Sequence, residues 1–188
     1  MVEKPIIVVF FVSRNKDNRE KFNSDWHERS WNFVIDYSAE YRSKLKQKFE
    51  QFVAQGQPGE ICRWYESINF RDSRKVIVDL QHFLLDYSGY SLNKLPAKIA
   101  GLAMNSKNAL SKKWLFDYDD VLQNLDSFIS DVVHAGNFLM SEIEYHSTMN
   151  GQAVITPRGF DTRKLLSDWP TVTLKRDAML LIDYDTKR

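Results

Sequence analysis

Trp114-Leu115-Phe116-Asp117-Tyr118-Asp119 decides the fold: a short apolar run ending in two carboxylates spaced i, i+2. Side chains two apart on a β-strand point to the same side of the sheet. Read as a strand, the segment puts Asp117 and Asp119 on one face and Trp114, Phe116 and Tyr118 on the other. Two neighbouring carboxylates repel and lose solvation, so a fold keeps them where a cation or a hydrogen-bond donor offsets the charge. The aromatic face then belongs under helices, and the acidic face is open.

Downstream, apolar spacing predicts a helix over 120–135, with Leu125, Phe128, Ile129, Val132 and Val133 inward and Gly136 closing it. Residues 138–148 read as a strand, Asn150-Gly151 as a type I′ turn and 152–156 as the returning strand. A short helix over 161–169 stops at Pro170, and 178–184 reads as the last strand, with the short β-rich piece 171–175 set aside. The order from Trp114 is β-α-β-β-α-β, the split βαβ or ferredoxin-like plan. The fold class is α/β (α+β). A single domain over 1–188 is expected, with an N-terminal αβ lobe (1–112) packed on this core (113–188).

Within that lobe, Pro5 to Val12 lacks alternation and reads as a strand covered on both faces. Residues 14–29 read as a surface loop or short helical connection. Phe33, Tyr37, Tyr41, Leu45, Phe49, Phe52 and Val53 recur at helical spacing, which predicts one long helix over 32–54 ended by Gly56-Gln57-Pro58-Gly59. A strand over 61–70 and helices over 73–87 and 95–110 follow.

Composition narrows the function classes. Lys and Arg number 26 against 25 Asp and Glu, so overall charge names no partner and any nucleic-acid binding must rest on local clustering. Cys62 is the only cysteine, which excludes an intrachain disulfide and makes a cytoplasmic setting the expectation. The longest apolar run, Ile6 to Val12, is too short to span a bilayer, so no membrane association is expected. No P-loop, GxGxxG, zinc-ligand spacing or GxSxG is present.

Three groups carry chemistry. Asp117 and Asp119, with Asp183 as a further acid on the last strand, have the donors for Mg²⁺ or Mn²⁺, which favour oxygen ligands and leave positions for phosphates. Equally, Asp119 and Asp120 fit as caps of the following helix. In a two-residue hairpin Thr148 pairs with Ala153 and His146 with Ile155, so Glu144, His146, Thr148 and Ala153 share a face; a polar hairpin surface reads the same way. Arg63, Asn69, Arg71, Arg74 and Lys75 cluster at a strand end and helix start, either as a phosphate-binding group or as a solvated face.

The segments 63–72, 114–119 and 148–156, followed by Phe160-Asp161, resemble in order the catalytic core of archaeo-eukaryotic-type primases and primase-polymerases of small phage proteins. The resemblance covers roughly the last two-thirds of the chain, through short motifs. It implies an RRM-like core and a nucleotidyltransferase in phage or mobile-element DNA replication, using nucleic acid, nucleoside triphosphates and a divalent metal. On it, Asp117 and Asp119 match the metal pair, and Asp183 is a candidate for the later acid. Where the phage proteins have Asn-Gly-aromatic-His, this chain has Asn150-Gly151-Gln152-Ala153. The histidine position is Ala153, and His146 is the candidate substitute. The expected nucleotide and phosphate contacts are Arg63, Asn69, Arg71, Lys75, Thr148 and Asn150. The alternative is a catalytically inactive relative that binds nucleic acid, a nucleotide or a host protein; metal-dependent phosphodiester hydrolysis is a third reading of the acids.

Overall fold

The computed structural model describes residues 4–22, 26–119, 122–149 and 151–187. The chain forms two compact units, one of 1–110 with 181–188 and one of 111–180. It is an α+β protein, and each unit is built on a four-stranded sheet. Among the described residues, no helix is long and apolar enough to cross a membrane.

In the first unit the central strand is β1 (Ile6–Ser13), paired antiparallel with β2 (Arg29–Asp36) and β3 (Ile61–Ser67). Nearly every β1 residue is buried, as its unbroken apolar run requires. Ile7, Val9 and Phe11, at period 2, meet Tyr41, Leu45, Phe49 and Phe52 of helix α2 (Tyr41–Ala54). The Phe11 ring centre lies 5.2 Å from that of Phe49 and 5.8 Å from that of Trp64, spacings at which aromatic pairs add to simple burial.

The single long helix over 32–54 divides in two. Trp31, Phe33 and Ile35 pack on the core at period 2 as part of β2, and α2 begins only at Tyr41. Phe33, Tyr37 and Tyr41 fit a helical spacing by coincidence, and the pairing of β2 with β1 along its whole length overrides it. The connection before β2 carries the short helix α1 (Asn15–Asn18). Its Asn18 is fully buried, donating to Ser13 Oγ (3.0 Å) and the Ile61 carbonyl (2.9 Å) and accepting from the Ile61 N–H (2.7 Å). Helices α3 (Ser73–Asp86) and α4 (Leu95–Ala103) complete the unit, with α4 against α3 and β2.

The second unit opens with β4 (Trp114–Tyr118) and continues through α5 (Leu125–Gly136), β5 (Glu144–Ser147), β6 (Gln152–Thr156), α6 (Arg163–Asp168) and β7 (Thr173–Arg176). Its sheet runs β5-β6-β4-β7, each neighbouring pair antiparallel. Phe116 and Tyr118 pack with Val154 beneath Phe128, Ile129 and Val132 of α5 and Leu165 of α6. The aromatic face of the opening segment is therefore the helix-covered face. Asn137, in the left-handed conformation (φ 49°), ends α5, as asparagine does well.

The final strand departs from expectation. β8 (Met179–Thr186) lies beside β3 at the edge of the first sheet, and the fourth strand of the second sheet is the short segment β7. Alternating Leu174 meets the helix-side core while Thr173 and Lys175 are exposed, which suits a short polar edge strand. Asp177, at φ 52°, turns the chain out of β7 toward β8.

Candidate functional site

Across the second sheet four residues stand in one row. His146 on β5 is opposite Ala153 on β6, Ala153 is opposite Asp117 on β4, and Asp117 is opposite Thr173 on β7. Directly paired residues point to the same face. Asp117 thus lies on the face away from α5 and α6, with His146 two strands distant, or about 10 Å at ordinary strand spacing. Asp119 stands one residue past the end of β4 and is exposed. The face is not uniformly polar: Leu115, Ala153 and Ile155 are buried, and the polar groups gather toward the Asp117 end.

The hairpin register differs from the two-residue turn by two positions. Ser147 pairs with Gln152, so 148–151 forms the loop. The Thr148 N–H donates to the Gly151 carbonyl (2.9 Å), and the Gly151 N–H donates to Thr148 Oγ1 (3.0 Å). A shift of two preserves the faces, so His146 and Ala153 remain together and come directly opposite each other. A Cβ on Gly151 would collide with the Tyr118 carbonyl oxygen. Glycine here lets the loop lie against the end of β4, next to Asp119. Asn150 and Asp120, named from the sequence as a nucleotide contact and a helix cap, lie outside the described residues.

Lys175 was not legible as a site residue. It lies on β7 opposite Leu115, one diagonal step from Asp117, and its ammonium donates to the Asp117 carboxylate. Only the pairing of β7 with β4 brings this cation to the acids, and no local motif marks it.

The basic group belongs to the first unit and is largely committed there. Arg63 binds Asp17 through two hydrogen bonds, Nε to Oδ2 (2.7 Å) and Nη2 to Oδ1 (2.5 Å), both side chains being nearly buried. Burial alone would raise the Asp17 carboxyl, but the hydrogen bonds and charges of Arg14 and Arg63 outweigh it and hold the group below the usual carboxylate range. Arg71 is fully buried, its backbone paired with Ile6 and its guanidinium 3.2 Å from Met104 Sδ. Asn69 is buried as well, with its carbonyl accepting from Ser67 Oγ. Lys75 is exposed in the first turn of α3, where Asp72 caps the helix by accepting from the Arg74 and Lys75 N–H groups. Arg63, Asn69 and Arg71 are thus set in the first unit's interior rather than forming an exposed phosphate cradle. Asp183, exposed on β8, stands on the first unit's sheet and not on the strands that carry Asp117 and His146.

Among the described residues, no group of three or more His, Cys, Asp and Glu side chains is placed to share a metal ion. Comparison with family models, curated proteins and solved structures finds no match.

Proposed function

We propose that the second unit is an RRM-like, ferredoxin-like βαββαβ module that takes a nucleoside triphosphate on its acidic face, as a primase-polymerase-like nucleotidyltransferase acting on nucleic acid does. The single observation that carries this reading is the row His146–Ala153–Asp117–Thr173 on the face away from the helices. The strand order β5-β6-β4-β7 supports it, with α5 joining β4 to β5 and α6 joining β6 to β7. The split βαβ plan calls for helical crossovers of this kind, and in this reading β7 is its closing strand.

The donors suit a hard divalent ion in part. Asp117 and Asp119 offer carboxylate oxygens of the kind Mg²⁺ and Mn²⁺ prefer, and Lys175 competes for one of them. In this reading Asp117 and Asp119 hold the ion, which would neutralise triphosphate charge. Lys175 and Thr148 meet the phosphates, and His146 stands at the far side of the nucleotide. Phage or mobile-element DNA metabolism is the setting that the motif resemblance suggests.

Two observations favour a second reading, ligand binding without turnover. Ala153 supplies only a methyl group at the centre of the row, and Asp117 already has Lys175 as counter-ion. Incorporation of labelled nucleotides on a single-stranded template with Mn²⁺ decides between them. Synthesis that disappears in Asp117→Asn and Asp119→Asn supports the transferase. Triphosphate binding by calorimetry without synthesis supports the inactive relative, and synthesis that survives both substitutions sinks the assignment of the acids.

A further inference from the structure

Helix α3 buries one side and leaves a second apolar side uncovered. Val76 is buried, and Leu80 and Phe83 are half-buried on the same side. Phe83 is held by Tyr87, Tyr90 and the Lys98 ammonium, which sits 3.7 Å from its ring centre. On the opposite side Ile77 is 52% exposed, Val78 46%, Leu84 38% and Leu85 81%. At 100° per residue these four form one stripe centred on Gln81. Scattered exposed apolar residues are ordinary, but four on one helical stripe mark an interaction surface.

We infer that this stripe docks on the same stripe of a second copy of the chain, as an antiparallel helix pair with its two-fold axis near Gln81. The residue positions select this occupant. Ile77 and Val78 lie three to four residues before Gln81, and Leu84 and Leu85 lie three to four after it. Antiparallel pairing therefore sets Ile77 and Val78 of one copy against Leu84 and Leu85 of the other. The charges repeat the relation. Arg74, seven residues before Gln81, lies on the stripe at the head of α3. In the pair each Arg74 meets the carboxy-terminal turn of the other α3, where the carbonyl ends carry partial negative charge. A parallel pair would instead oppose Arg74 to Arg74. The 14-residue helix is about 21 Å long, and covering its stripe in both copies buries on the order of 1,000 Å², the lower bound for a specific interface. A dimer that dissociates at micromolar concentration is the expected strength.

Sedimentation equilibrium of the full chain across about 1–300 μM tests this. The wild type is expected to pass from monomer to dimer, and Leu85→Glu to weaken association at least about tenfold while far-UV circular dichroism stays unchanged. Arg74→Glu should also weaken the dimer, because it sets a carboxylate against the carbonyl end of the other helix. Gln81→Cys should cross-link to itself under mild oxidation, because Gln81 faces its own counterpart at the axis. A chain that stays monomeric throughout overturns the inference. So does a dimer indifferent to Leu85→Glu, or one that Arg74→Glu leaves unchanged.

Discussion

His146 and Ala153 face each other across the β5–β6 ladder, and the side chain on the far side of Ala153 is Asp117. A half-buried imidazole and a carboxylate thus share a sheet face with only a methyl group between them. Ala153→His would fill that gap with a second imidazole. Ala153 is 2% exposed, so the added bulk should cost about 1–3 kcal/mol of stability. The expected result is a lower melting temperature together with at least about fivefold tighter Mn²⁺-dependent triphosphate binding by calorimetry. Unchanged affinity would remove Ala153 as the limiting feature of the site.

Lys175 should matter for binding far more than for folding. Its side chain is 47% exposed, and that of Asp117 25%, so their ion pair is screened and worth about 0–1 kcal/mol. Lys175→Ala is expected to leave the chemical-denaturation midpoint nearly unchanged and to weaken triphosphate binding about tenfold. If affinity holds and only stability falls, Lys175 is a structural counter-ion and nothing more.

The opening strand was legible because its pattern is local: alternation alone places Phe116 and Tyr118 under α5 and Asp117 on the other face. Membership of the last strand was not. The run 178–184 is longer and more apolar than 171–175, so it looks like the better closing strand, yet hydrogen-bonding partners are set by the path of the chain after Asp177. That one choice moves Asp183 off the acidic sheet and brings Lys175 onto it. The surroundings of the basic cluster were not legible for a related reason. Sequence proximity joins Arg63 to Arg71, but Arg63 is taken by Asp17, 46 residues earlier in the chain, a partner that no local spacing reveals.

Gly151 should be intolerant of any side chain. An added Cβ meets the Tyr118 carbonyl, which is backbone and cannot swing aside. Gly151→Ala is expected to cost about 1–3 kcal/mol, as overpacking does, and to push the 148–151 loop away from Asp119. Thermal unfolding measures the cost. Amide exchange at Thr148 should accelerate as its N–H loses the Gly151 carbonyl. A variant as stable as the wild type would show that the loop does not lean on β4.

The ion pair between Arg63 and Asp17 contributes to the acid sensitivity of the first unit. Folding holds the Asp17 carboxyl below its ordinary value, with hydrogen bonds from Arg14 and Arg63 overcoming the effect of burial. A depressed carboxylate contributes stability that is complete above its unfolded value, near pH 4, and is lost as pH falls through the folded value. Glu60 acts in the same sense. Burial would raise it, and hydrogen bonds from Ser13, the Gln57 N–H and Arg29 lower it further. Asp17→Asn leaves Arg63 nearly buried without its carboxylate, and breaking such a pair costs about 3 kcal/mol at pH 7. The stability gap between variant and wild type should narrow steadily below about pH 4, because the wild type also loses the charge there. Glu60 keeps some acid sensitivity in the variant, so its own curve flattens without becoming level. Urea midpoints at pH 7, 5, 4 and 3 measure the gap. A gap that stays constant over that range would show that Asp17 contributes through shape and not through its charge.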